Sequence, residues 1–199
     1  MAARTRILVL FLAVAVGALV VAAAVTLLLP APPAQVASGT AAVGGPFRLV
    51  DENATPVTEK VLEGKPSLVF FGFTHCPDVC PTALYEISEI FTALGPDADK
   101  ARAFFVTVDP ERDTAEVMKS YIGSFAPQVH ALTGSPEAVE AMKKAYRVYS
   151  RKVPLATAGD YTMDHTAIIY LMDKKGQFVA PFNVKRPPEE AAAELKRYF

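Results

Sequence analysis

Two cysteines, Cys76 and Cys80, stand four positions apart in Phe73-Thr74-His75-Cys76-Pro77-Asp78-Val79-Cys80-Pro81 and are the only thiols in the sequence. A bridge between residues this close closes too short a loop to constrain the unfolded chain much, and two cysteines make no disulfide framework. Their role is therefore chemical. The segment follows an apolar run of strand length and precedes a helical pattern. Pro81 suits a first helical position and disfavours helical geometry for the residue before it, which places Cys80 at the expected N-cap and Cys76 in the preceding loop. Backbone N–H groups and the helix dipole there favour thiolate over thiol. Two thiolates converging on one point bind a soft metal, or close into a disulfide and reopen. A closed zinc site takes four ligands and would need two more from histidine or acid side chains. Copper(I) is satisfied by two or three soft ligands, so copper is the metal expected.

Three histidines are available to such a site: His75, His130 and His165. His75 adjoins Cys76, but neighbouring side chains on an extended segment point apart. His130 precedes a short apolar pair and has no partner in sequence. His165 opens an expected strand in Met163-Asp164-His165-Thr166-Ala167-Ile168-Ile169-Tyr170. Strand ends in an open α/β sheet gather at one rim, where the cysteine loop also belongs, so His165 is the stronger candidate.

The elements that must position these residues are legible in outline. Ser67 to Phe73 and Ala103 to Val108 are continuous apolar runs of strand length, as expected for strands buried on both faces. Phe47 to Val50 and Ala131-Leu132 suggest short strands. Helical spacing runs from Thr82 to Leu94 and stops at Gly95-Pro96. A second helix spans Thr114 to Phe125, capped by Asp113 or Thr114, and a third runs from Pro136 to about Tyr149. Thr166 to Met172 and Gln177 to Phe182 form a hairpin across Asp173-Lys174-Lys175-Gly176, and a last helix runs from Pro187-Pro188 to Tyr198. Alternating strands and helices closed by a hairpin and a helix predict an α/β sandwich with a mixed central sheet. Asp109-Pro110-Glu111-Arg112-Asp113 leaves a strand end at the same rim. It reads as a turn with a helix cap, or as a docking surface for a partner.

Before this domain, Ile7 to Leu29 is a run of 23 residues without a charge. At about 1.5 Å per residue, a helix of that length crosses the roughly 30 Å hydrocarbon core. A cleaved signal peptide has a shorter apolar region, about 7–15 residues, so the length favours a retained anchor. Arg4 and Arg6 precede the run and the next charge is Arg48, so the positive-inside bias keeps the N-terminus in the cytoplasm. The expected organisation is a cytoplasmic N-terminus (1–6), a transmembrane anchor (7–29), a flexible Ala/Pro/Gly linker (30–46) and an exported domain (47–199). In a bacterium that is a single-pass inner-membrane protein with its domain in the periplasm. From Gln35 onward 18 basic residues face 21 acidic ones, which argues against nucleic-acid binding.

Taken together, Phe71-Gly72-Phe73-Thr74-His75-Cys76-Pro77-Asp78-Val79-Cys80-Pro81-Thr82, Val106-Thr107-Val108-Asp109-Pro110-Glu111-Arg112-Asp113-Thr114 and Asp164-His165-Thr166-Ala167-Ile168-Ile169-Tyr170-Leu171 resemble the Sco/SenC family of copper-delivery proteins. The resemblance covers roughly residues 45–199. It implies a thioredoxin-like fold with a mixed central sheet and an added hairpin, behind one N-terminal transmembrane helix. It implies that Cys76, Cys80 and His165 ligate copper, as Cu(I) or Cu(II), with Cys76 and Cys80 also a redox-active pair. The implied role is building the dinuclear copper centre of cytochrome c oxidase, by inserting copper, by reducing the target's cysteines, or by both. The implied partners are a copper-accepting oxidase subunit, a copper donor protein and a thiol reductant. Asp78 and Asp164 flank the site, Asp164 either as the acceptor that orients His165 or as an exposed loop acid. Ala115 stands where the family often has proline, which touches a helix start and none of the ligands.

Two other readings use the same cysteines. A thiol–disulfide oxidoreductase without copper usually carries Cys-x-x-Cys, and a proline where this chain has His165-Thr166. A peroxidase of this fold resembles Thr-x-x-Cys, and Thr74-His75-Cys76 is one residue short.

Overall fold

The computed structural model describes residues 43–199. They fold as β1 (Arg48–Asp51), β2 (Pro56–Thr58), β3 (Ser67–Gly72), α1 (Val79–Leu94), β4 (Arg102–Thr107), α2 (Ala115–Ile122), β5 (Val129–Thr133), α3 (Pro136–Ala145), β6 (Ser150–Pro154), β7 (Tyr161–His165), β8 (Ile169–Met172), β9 (Phe178–Pro181) and α4 (Pro188–Leu195). The expected membrane span, Ile7 to Leu29, lies outside the described residues, as does most of the linker. Among the described residues no helix is long and apolar enough to cross a membrane.

Seven strands form one mixed sheet in the order β2-β1-β5-β4-β3-β8-β9. Its centre is parallel, with β3 paired to β4 and β4 to β5, while β1 and β8 flank this core antiparallel. Every residue of β3 is buried, and all of β4 but Arg102. This double-sided burial is why both read as unbroken apolar runs rather than as alternating ones. Burying each of Phe70, Phe71 and Phe105 almost completely contributes about 2–3 kcal/mol of transfer free energy. α1 turns Cys80, Leu84, Ile87, Phe91 and Leu94 inward at helical spacing and packs against α4. Gly95 ends it at φ 57°, a conformation that side chains resist.

Several boundaries depart from expectation, among them the ends of α2 at Ile122 rather than Phe125 and of α4 at Leu195 rather than Tyr198. α1 begins at Val79, with Asp78 at its N-cap, so Cys80 lies inside the first turn and not at the cap. Pro81 is tolerated there because the first four N–H groups of a helix have no intrahelical acceptor. α3 stops at Ala145 instead of Tyr149, where Arg147 takes a left-handed turn at φ 59°. Sequence reading also assigns no element between Tyr149 and His165. The structure pairs β6 with β7 there as an antiparallel hairpin outside the main sheet. His165 accordingly closes this hairpin, and the next main-sheet strand opens only at Ile169.

Candidate metal centre

The topology brings three segments to one rim. β3 and β4 run parallel, so the cysteine loop leaving β3 and the Asp109–Asp113 turn leaving β4 emerge side by side. β8 runs antiparallel to β3 with Ile169 opposite Phe70, so the chain just before β8, carrying His165, arrives at the same place.

Cys76 Sγ, Cys80 Sγ and a His165 ring nitrogen meet there, all within 4.8 Å of one another. Both cysteines are free thiols, Cys76 half-buried and Cys80 fully buried. The first turn of α1 sets their relation, since the Cys80 backbone N–H donates to Cys76 Sγ at 3.4 Å. That N–H is one of the unpaired donors at a helix start. Gly72 makes room behind them. A Cβ at that position would stand 2.7 Å from Cys80 Sγ and 2.6 Å from the Phe105 ring, too close for any side chain.

His165 Nε2 lies 3.7 Å from Cys80 Sγ. Its Nδ1 lies 3.1 Å from the Thr166 carbonyl oxygen. A carbonyl only accepts, so Nδ1 carries the hydrogen and Nε2 presents its lone pair to the thiols. The ring stands edge-on to Phe73 with centroids 5.7 Å apart. Thr166 in turn is tied to Tyr149 by two hydrogen bonds, Thr166 N–H to the Tyr149 carbonyl at 2.9 Å and Tyr149 N–H to Thr166 Oγ1 at 3.1 Å.

The expectation of thiolates at both positions is corrected for Cys80. Burial pushes its thiol well above the ordinary range, because taking the thiolate out of water costs more than the nearby helix start returns. A soft cation bound between the sulfurs would reverse that balance by supplying the missing charge.

Of the flanking acids, Asp78 is exposed and accepts from Thr82 Oγ1 at 3.4 Å. Asp164 is also exposed and faces Arg151 at 3.5 Å. It is the Thr166 carbonyl, and not Asp164, that receives the imidazole hydrogen. His75 is exposed, beside Thr74, and His130 pairs with Glu52 at 3.3 Å. Neither joins the cluster.

A carboxylate that supports the cysteine loop is Asp113, which sequence reading offered as a helix cap or as part of a docking surface. Thr114 caps α2 instead, accepting from Val117 N–H. Asp113 turns inward, fully buried, and accepts from Thr74 N–H at 3.1 Å, Thr74 Oγ1 at 2.6 Å and Thr107 Oγ1 at 2.7 Å. It thereby pins the cysteine loop to the end of β4. Burial pushes this carboxyl up, against hydrogen bonds from Thr74 and Thr107 that lower it. Nothing in its sequence position separates this role from a cap, because the partner Thr74 lies 39 residues away.

The chain is similar to known proteins of one family. A family model described as SCO1/SenC matches residues 35–199. The protein SCO2, mitochondrial, of Saccharomyces cerevisiae is 43% identical over 148 residues, covering 72% of this chain and 48% of that protein. A SCO2-like protein of Rickettsia felis is 35% identical over 159 residues, covering 77% of this chain and 76% of that one. The chain spans about half the length of the mitochondrial relatives it matches. Among solved structures, Bradyrhizobium japonicum ScoI with copper bound is 61% identical with a TM-score of 0.77, covering 79% of this chain and 100% of that one. Yeast Sco1 with copper bound is 36% identical with a TM-score of 0.69, covering 79% and 91%. With a thioredoxin-like α/β fold, the two thiols and the histidine at one rim, and a match over the whole described domain, the chain belongs to the SCO1/SenC family.

Proposed function

We propose that this chain binds copper through Cys76, Cys80 and His165 and delivers it to a copper-accepting subunit of cytochrome c oxidase, for assembly of the dinuclear copper centre. The observation that carries the reading is the convergence of two thiols and an imidazole, from three separate segments, within 4.8 Å. The donor set fits this cargo. Two thiolates suit Cu(I), and the added nitrogen completes a set suited to Cu(II). The half-exposed position of Cys76 and His165 leaves the ion open to an incoming partner ligand, as release requires.

The test is a copper titration of residues 35–199, whose core lies within the described residues 43–199. One equivalent of copper per chain is expected, and addition of Cu(I) raises the melting midpoint by mass action. A folded chain that takes up no copper in either oxidation state would refute the reading.

The same pair supports a second activity, reduction of the target's disulfide, favoured by the unequal exposure of the two thiols. The Cys76 thiolate attacks one sulfur of that disulfide and releases the other as a thiolate, which takes up a proton. Cys80 then attacks Cys76 and frees the second target thiol. Two electrons pass to the target, a Cys76–Cys80 disulfide remains, and an external thiol reductant resets it.

The charge-free run Ile7 to Leu29 supports a retained membrane anchor with the domain on the periplasmic side. Carbonate extraction is expected to leave the protein with the membrane. Release into the supernatant with a mature N-terminus near residue 35 would show instead that the segment is cleaved.

A further inference from the structure

His165 reaches the cysteines from a hairpin that belongs to no other sheet, so something must fix where that hairpin stands. Besides the packing of Met163 and His165 on the core, a cluster of polar contacts does so at its far end. Asp109, only 1% exposed, accepts from Arg112 Nε through Oδ2 and from the Tyr161 hydroxyl through Oδ1 at 2.9 Å. Arg112 donates through Nη1 to the Tyr161 carbonyl at 3.0 Å. Its guanidinium also lies over the Tyr161 ring, 3.8 Å from the centroid, and 5.9 Å from that of Phe73. The remaining nitrogen, Nη2, is buried without a hydrogen-bond partner, so the group is held by two bonds, by stacking and by an ion pair with Asp160 at 4.0 Å. An exposed pair, Lys152 with Glu111, spans the same seam and adds little.

The geometry points to a clasp. Asp109, Arg112 and Tyr161 are positioning residues that lock the β6–β7 hairpin to the turn leaving β4, and so set where His165 Nε2 stands relative to the two thiols. Tyr161 opens β7 and His165 closes it. A five-residue strand transmits a shift at one end to the other, because its backbone is paired throughout with β6, from Pro154↔Tyr161 to Ser150↔His165. Arg112 and His165 also touch the same side chain, Phe73, from the turn and from the hairpin. The cysteines have supports of their own, Asp113 through Thr74 and the first turn of α1, beside the hydrogen bond from Cys76 N–H to the Phe73 carbonyl at 3.2 Å. The clasp therefore acts first on the nitrogen ligand, and its main consequence is selective. Cu(II), which needs the imidazole, feels it; Cu(I), held by two thiolates, does not.

This inference rests on the copper reading of the site, and its test separates the two. Tyr161→Ala and Arg112→Gln are prepared in the full chain in detergent, beside His165→Ala. Tyr161→Phe keeps the stacking and loses only the hydroxyl bond. In Tyr161→Ala and Arg112→Gln the Cu(II) dissociation constant is expected to rise about tenfold or more. The thiolate-to-Cu(II) absorption band shifts or weakens, Tyr161→Phe restores most of it, and Cu(I) affinity stays within about threefold. A readout without copper accompanies these. Hydrogen exchange at the Tyr149 and Thr166 amides, which tether His165, is expected to accelerate in Tyr161→Ala while the β3 and β4 amides stay protected. An unchanged Cu(II) band in folded Tyr161→Ala and Arg112→Gln overturns the clasp, as does an equal loss of both copper states. If His165→Ala itself leaves the band unchanged, His165 is no copper ligand and the band cannot report on the clasp. The exchange data then judge the clasp alone, and unaltered exchange at those two amides overturns it.

Discussion

Cys76→Ser and Cys80→Ser are each expected to abolish tight binding of copper in both oxidation states, weakening Cu(I) on the order of a thousandfold, or about 4 kcal/mol. The reason is the donor chemistry of the cluster. Cu(I) is held by soft sulfur, and a serine hydroxyl is a hard, protonated oxygen that offers it little. What remains in either variant is one thiol and one imidazole, too few soft donors to hold Cu(I) tightly. The two variants differ in their effect on the apo fold. Cys80 is fully buried against Gly72 and the core, so a hydroxyl there is a polar group in an apolar setting and costs about 1–3 kcal/mol. Cys76 is half-buried, and its serine variant keeps an acceptor for the Cys80 N–H. Anaerobic titration against a Cu(I) chelator, with melting curves of the apo proteins, checks both parts. Wild-type Cu(I) affinity in the two variants would leave the delivery reading without its chemical basis.

His165→Ala is expected to separate the two oxidation states. Cu(I) bound between two thiolates loses at most about tenfold in affinity, whereas Cu(II) loses its nitrogen ligand and with it the thiolate-to-metal absorption in the visible region. The structure sharpens this expectation. Nε2 already faces Cys80 at 3.7 Å, with Nδ1 committed to the Thr166 carbonyl, so the ring is aimed before any ion arrives. Preorganisation of this kind leaves little ordering cost at binding. His75, four residues before α1 begins, is exposed and does not join the cluster. An aerobic titration read by absorption spectroscopy decides the matter, and an unchanged Cu(II) spectrum would remove His165 from the site.

These three variants probe residues that sequence reading singled out. The supports around them were less visible, for a common reason. The local signals, apolar runs, helical spacing and Pro or Gly punctuation, record how each segment meets solvent and its own backbone. They located β3, β4 and α1 to within a few residues and placed the cysteine loop between a buried strand and a helix. The β6–β7 hairpin escaped them because it lies outside the main sheet and is mostly exposed, so burial imposes no strict alternation on Ser150-Arg151-Lys152-Val153-Pro154. The helix expected to reach Tyr149 stopped early because a left-handed turn at Arg147 sends Val148 back to the Lys143 carbonyl. That turn is set by tertiary packing of Tyr146 and Val148, not by propensity.

By itself, then, the amino-acid sequence determined the chemistry available: two thiols four residues apart beside a helix start, one histidine ahead of a buried strand, and a mixed α/β order that sends them to one rim. It also determined the charge-free run before the domain. Only the tertiary structure decided the environment of each group. It buried Cys80 and so pushed its thiol up, where a helix start alone would have lowered it. It turned Asp113 away from the helix cap to hold Thr74, and it drew Asp109 and Arg112 onto Tyr161, some fifty residues on. Desolvation and hydrogen bonding between distant segments depend on which surfaces are brought together. That is a property of the packed chain, and no local window of the sequence contains it.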